Sequence, residues 1–119
     1  MRPCWRSTES GDMGRGIVCL HDEQGTEWWG EWSTVVDALV YGLSDEALLR
    51  RHLRDEYGRD GMRDIDARLA RAREHGSSFV DCRFDVSGNR AGPDESELTE
   101  AELIAAFRWP DGTHWAVRA

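Results

Sequence analysis

A chain of 119 residues with 39% hydrophobic and 32% charged residues and a mean hydropathy of −0.65 has the size and composition of one soluble domain, which excludes a multidomain enzyme. The net charge is −8 and all fifteen basic residues are arginine, so no basic face is expected to grip phosphate backbones and nucleic acid is not an expected partner. No apolar run reaches the roughly 18 residues that cross a bilayer, and MRPCWRSTESGDMGRG lacks the apolar stretch of a signal peptide; the expectation is a cytoplasmic protein without membrane contact.

Residues 1–15 mix Pro, Ser, Thr, Gly and charge without periodicity and read as a flexible tail, leaving residues 16–119 as a single domain. The run 17–20 is β-type. HDEQGTE then supplies a turn at Gly25, and Trp28 and Trp29 begin the return strand of a hairpin. After Gly30, a cap at Ser33 or Thr34 and the spacing of Val35, Val36, Leu39, Val40 and Leu43 predict a first helix.

Ser44 opens a second helix, with Asp45 and Glu46 in its first turn and Arg50, Arg51 and Arg54 farther on, the polarity that the helix dipole favours. Gly58 ends it. A third helix is predicted from about Met62 to His75, stopped by Gly76. In SSFVDCRFDV the period becomes two, with Val80, Cys82, Phe84 and Val86 on one face and Phe79, Asp81, Arg83 and Asp85 on the other, as in a strand.

The segment SGNRAGPDESELTEAE is the most acidic of the chain, and Thr99 with Glu102 matches a capping box. In IAAFRWPDGTHWAVRA, Pro110, Asp111 and Gly112 suit a three-residue hairpin turn that sets Trp109 opposite Thr113 and Phe107 opposite Trp115. A competing reading continues a helix from Thr99 through Phe107 and keeps only the last strand. The expected architecture is α+β: an antiparallel sheet of about five strands with about three helices packed on one face.

Charge is distributed unevenly. Residues 1–44 carry seven acids against three arginines, residues 45–75 eight against eight, and residues 76–119 eight against four. The middle is neutral and both ends are acidic. If the ends meet in the sheet, they form one acidic surface able to steer a basic partner.

The motifs that would carry common chemistry are absent: there is no phosphate loop, no G-x-G-x-x-G, no H-E-x-x-H and no CxxC. No cofactor or metal is therefore expected, and Cys19 and Cys82 read as buried thiols. His52 and His75 fall near helix surfaces or ends. His21 and His114 fall on predicted strands beside acids, where a carboxylate such as Asp81 or Asp85 across the sheet would complete a minimal acid-base pair.

The tryptophans stand out, six in all, three of them in EWWGEW. Trp28 and Trp29 must point to opposite faces of a strand, so a sheet covered on one side leaves one of them for another molecule. The leading expectation is a small interaction domain of the inhibitor, immunity or accessory-subunit type. Glu27, Trp28, Trp29, Glu31 and Trp32 would anchor a basic partner protein, with Asp81, Asp85, Asp94, Glu95 and Glu97 steering its approach. The alternatives are a small enzyme or ligand-binding domain using His21 or His114 in a pocket between sheet and helices, and a homodimer that hides a tryptophan against its own copy.

Overall fold

A computed structural model of the chain describes residues 15–34, 36–40, 42–79 and 86–109. Two strands, β1 (Arg15–His21) and β2 (Glu27–Ser33), form the predicted hairpin, and β3 (Ala38–Leu39) pairs with β2, giving an antiparallel three-stranded sheet in the order β1-β2-β3. The helices are α1 (Glu46–Tyr57), α2 (Arg59–Met62), α3 (Ile65–His75) and α4 (Glu100–Phe107). The α+β class stands, and among the described residues the sheet has three strands where about five were expected. The segment 80–85 of the expected fourth strand, with Asp81 and Asp85, and residues 110–119 of the last one, with His114, lie outside the described residues.

The hairpin register pairs Ile17 with Glu31, Cys19 with Trp29 and His21 with Glu27. Period two then puts Ile17, Cys19, His21, Glu27, Trp29 and Glu31 on one face, and Val18, Leu20, Trp28 and Trp32 on the other. Ile17, Cys19 and Trp29 pack with Leu49 and Leu53 of α1 and Leu69 and Ala72 of α3. On the opposite face Val18, Leu20 and Trp32 pack with Leu39, Leu43, Phe79 and Leu103 and Ile104 of α4. The helices therefore cover both faces of the sheet, not one. Trp29 and Trp32 are both buried as a result.

Of the residues expected to form a helix over 34–43, those described turn at Thr34, Val36 and Asp37 and then run along β2. Val40 N donates to Glu31 O, and Ser44 and Trp29 exchange backbone bonds of 2.9 and 2.7 Å. The edge of β2 lies inside the core, where unpaired backbone groups are costly, and that demand overrides the helical spacing of the valines and leucines. Ala38 faces Ser33 and Ser44 faces Trp29, so this run takes six steps to the four of β2 and bulges by two residues. Because Ser44 is committed to the sheet, the cap of α1 falls to Asp45, whose carboxylate accepts from Leu48 N at 2.8 Å.

The other edge, on β1, is closed by the chain leaving α3: Cys19 N donates to Gly76 O and Ser78 N to Ile17 O. Gly76, at φ 93°, supplies the left-handed turn that brings it there. At the C-terminal end the helical reading of residues 99–107 prevails over the hairpin, because the Thr99–Glu102 capping box forms and α4 supplies the second cover. Beyond it Arg108 makes a parallel bridge with Leu43. Asn89, buried, ties residues 86–98 together: its Nδ2 donates to Val86 O and Leu98 O, both at 2.7 Å, and its Oδ1 accepts from Leu98 N and Ala91 N.

Gly30 is the narrow point of this packing. A Cβ there would stand 2.8 Å from Leu43 Cδ2 and 3.2 Å from both Leu39 Cδ2 and Gly42 O. Gly30→Ala should therefore cost about 1 to 3 kcal/mol of stability through overpacking, read as a lower urea midpoint with an unchanged slope. An unchanged midpoint would refute the close approach of the two leucines.

Candidate functional site

The polar chemistry gathers on the α1/α3 face of the hairpin and falls into an inner and an outer group. The inner group centres on Glu31, a buried carboxylate. Its Oε2 accepts from Tyr57 Oη at 2.6 Å, and its Oε1 lies 3.1 Å from His52 Nε2. Arg15 Nη1 donates to Tyr57 Oη at 2.8 Å. Burial first, and then the Glu31 carboxylate, push the Tyr57 phenol up to about 12, so at neutral pH it remains a donor. His52 is buried rather than lying at a solvated helix surface, because α1 turns Leu49, His52 and Leu53 onto the sheet.

The outer group lies four residues back along the same strand face. Arg73 of α3 donates to both oxygens of Glu27, at 3.1 and 3.4 Å, and to Glu46 Oε1 at 2.6 Å, while its guanidinium sits 5.1 Å from the Trp29 ring centre. Arg50 joins Glu46 to Asp66. The Arg73 hydrogen bonds hold the Glu27 carboxyl below the usual glutamate range. His21 Nε2 lies 3.8 Å from Glu27 Oε2. Cys19, His21 and Glu27 each offer one ligand atom, and these three atoms lie within 4.8 Å of one another. Burial, aided by the Glu27 charge, pushes the Cys19 thiol up to about 12.

A third feature is an acidic rim at the turn of the hairpin. Asp22 folds the turn by accepting from Gln24 N and Thr26 N, each at 2.9 Å, and from Trp28 Nε1 at 3.1 Å. The indole bond, foremost, holds its carboxyl below the ordinary value. His21 N donates to Glu100 Oε2 at 3.3 Å, which brings the start of α4 against this turn. Glu100, distant in sequence, thereby stands beside the hairpin turn that carries Asp22 and Glu23.

Of the residues singled out in the sequence, Glu31, Trp29 and Trp32 are interior, and Glu27 and Trp28 are half-buried. Asp94, Glu95 and Glu97 are exposed on the segment before α4, with Glu95 bonded to Arg90 at 2.7 Å. Asp81, Asp85 and His114 fall outside the described residues. The sequence reading placed His52 near a helix surface and did not bring it, Tyr57 or Arg73 to the acids of β2. The one signal available for the outer group was the Cys-x-His spacing of Cys19 and His21, which on a strand places both side chains on one face.

No family model matches this chain, and no curated protein or solved structure matches it significantly. Function must therefore be argued from the site itself.

Two measurements test the geometry. Tyr57→Phe removes the phenolic donor from a buried carboxylate and should lower stability by about 1 to 2 kcal/mol; a neutral effect would mean that water replaces it. Glu27 has a folded-state value below its ordinary 4.5, so the unfolded chain binds the proton first and the stability that Glu27 contributes is lost as pH falls below that value. The urea midpoint should fall as the pH drops below about 5, and Arg73→Met should flatten that fall.

Proposed function

We propose that this chain is a small acidic interaction domain, of the inhibitor, immunity or accessory-subunit type, that occupies a basic site on another protein. The observation that supports the reading is the His21–Glu100 bond, which brings Glu100 of one acidic segment against the hairpin turn of the other. Residues 22–27 contain three acids and no arginine, and residues 94–102 contain five acids and no arginine. Arg50 is spent on Glu46 and Asp66 of the helices, and Arg73 on Glu46 and Glu27, so of the acids in residues 22–27 it is Asp22 and Glu23 that contribute to the rim. A field concentrated at one end raises the encounter rate with a basic surface and orients the approach.

Within this reading the interior tryptophans build the platform, and aromatic contact falls to other indoles. Trp28 is half-buried beside Asp22, and Trp109, 44% exposed, follows Arg108 at the edge of the fold. An indole flanked by carboxylates suits an arginine-bearing partner. Among the described residues no helix is long and apolar enough to cross a membrane.

The test is affinity capture from the native extract with two variants of equal charge change. Glu23→Gln/Glu97→Gln/Glu100→Gln neutralises the rim, and Asp55→Asn/Asp60→Asn/Asp64→Asn does so on the helical side. A specific basic protein should be retained by the wild type and by the helical variant, released by about 0.5 M salt, and lost by the rim variant. Equal capture by both variants would overturn the reading.

A further inference from the structure

We propose that Cys19, His21 and Glu27 form a binding site for a divalent transition-metal ion of the zinc type. The inference is independent of the partner reading.

The three side chains are brought together by register alone. His21 and Glu27 are directly paired across the hairpin, and Cys19 is two residues earlier on the same face. Their ligand atoms lie within 4.8 Å of one another, up to about an ångström beyond the roughly 3.3 to 3.8 Å that a tetrahedral ion with bonds of about 2.0 to 2.3 Å imposes, so rotations of the His21 and Glu27 side chains complete the contraction. Both are on the outer side and able to move: His21 is exposed and Glu27 half-buried, while the buried Cys19 is fixed in the core.

The donor set selects the ion. One sulfur, one imidazole nitrogen and one carboxylate oxygen suit zinc or its borderline neighbours and do not suit calcium or magnesium, which take oxygen ligands. Arg73 is the evident objection, since it brings a positive charge to Glu27. It is offset by Glu46, to which the same guanidinium is bonded at 2.6 Å. With Cys19 as thiolate, the charges of Cys19, Glu27, Glu46 and Arg73 sum to −2, which a divalent ion neutralises. Each carboxylate oxygen has two lone pairs, so Glu27 can keep Arg73 while giving Oε2 to the ion, and Arg73 then acts as the positioning group behind the ligand.

Binding exchanges one proton for one metal–sulfur bond: the Cys19 thiol proton leaves to solvent and the sulfur lone pair goes to the ion. Three protein ligands leave a fourth position on the exposed His21 side for water or for a donor from another molecule.

Cobalt(II) reports such a site because a thiolate bound to it gives a near-ultraviolet charge-transfer band. Titration of the reduced protein should show one equivalent bound with that band, unchanged in Cys4→Ser/Cys82→Ser and displaced by zinc. The band should vanish in Cys19→Ser, and His21→Gln and Glu27→Gln should each weaken zinc affinity at least about tenfold in calorimetry. His21→Gln changes an exposed side chain, so its result stands even if Cys19→Ser fails to fold. Absence of the band from the wild type, its persistence in Cys19→Ser, or unaltered zinc affinity in His21→Gln would overturn the proposal.

Discussion

The β1–β2 hairpin carries large side chains on both faces, and the placement of the other elements follows from covering them. Trp29 and Trp32 lie on opposite sides of one strand and are 1% and 0% exposed, so neither side can face water. Fully burying an indole of this kind is worth a few kcal/mol, a large share of a small domain's net stability. α1 and α3 close one side and α4 the other, and Leu39 and Leu43 pack into the space that Gly30 leaves.

That double cover explains which parts of the fold were legible in the sequence. The hairpin, α1, α3 and the Thr99 cap were visible because their signals are local: period two, period 3.6, a carboxylate or hydroxyl at the first turn, a glycine at the last. Residues 34–43 were not, since valines and leucines at helical spacing also suit an extended run, and the deciding fact was an unpaired edge of β2 inside the core. The C-terminal segment misled for a similar reason. Pro110, Asp111 and Gly112 are good hairpin chemistry, yet residues 100–107 are needed as a lid, and only the three-dimensional demand for a second cover reveals it. His52 read as a helix-surface residue because its burial depends on Glu31 pointing inward, which in turn depends on that cover.

The arginines show how composition and surface field can diverge. Eight of the fifteen lie in residues 45–75, and several of them face acids on neighbouring turns or across α1 and α3. Exposed pairs of this kind contribute about 0 to 1 kcal/mol, so their main effect is not on stability. They cancel charge locally, and the remaining negative charge of the described residues is left around the hairpin turn and the start of α4. A chain with the same totals but arginines spread evenly would have no such polarity.

Glu27 and Glu31 show the same logic within one strand. Four residues apart on one face, they differ only in depth, and depth selects their partners. Glu31, inside, is satisfied by a tyrosine and a histidine that share its burial and answer its two oxygens separately. Glu27, at the rim, meets a guanidinium, an exposed imidazole and the edge of a buried thiol. An interior carboxylate with fixed partners is a packing element, because removing either partner would leave a buried oxygen unsatisfied. A rim carboxylate with mobile neighbours can change partners at little cost, and so the chemistry open to ligands on this face lies at the end where the hairpin turns, not at its centre.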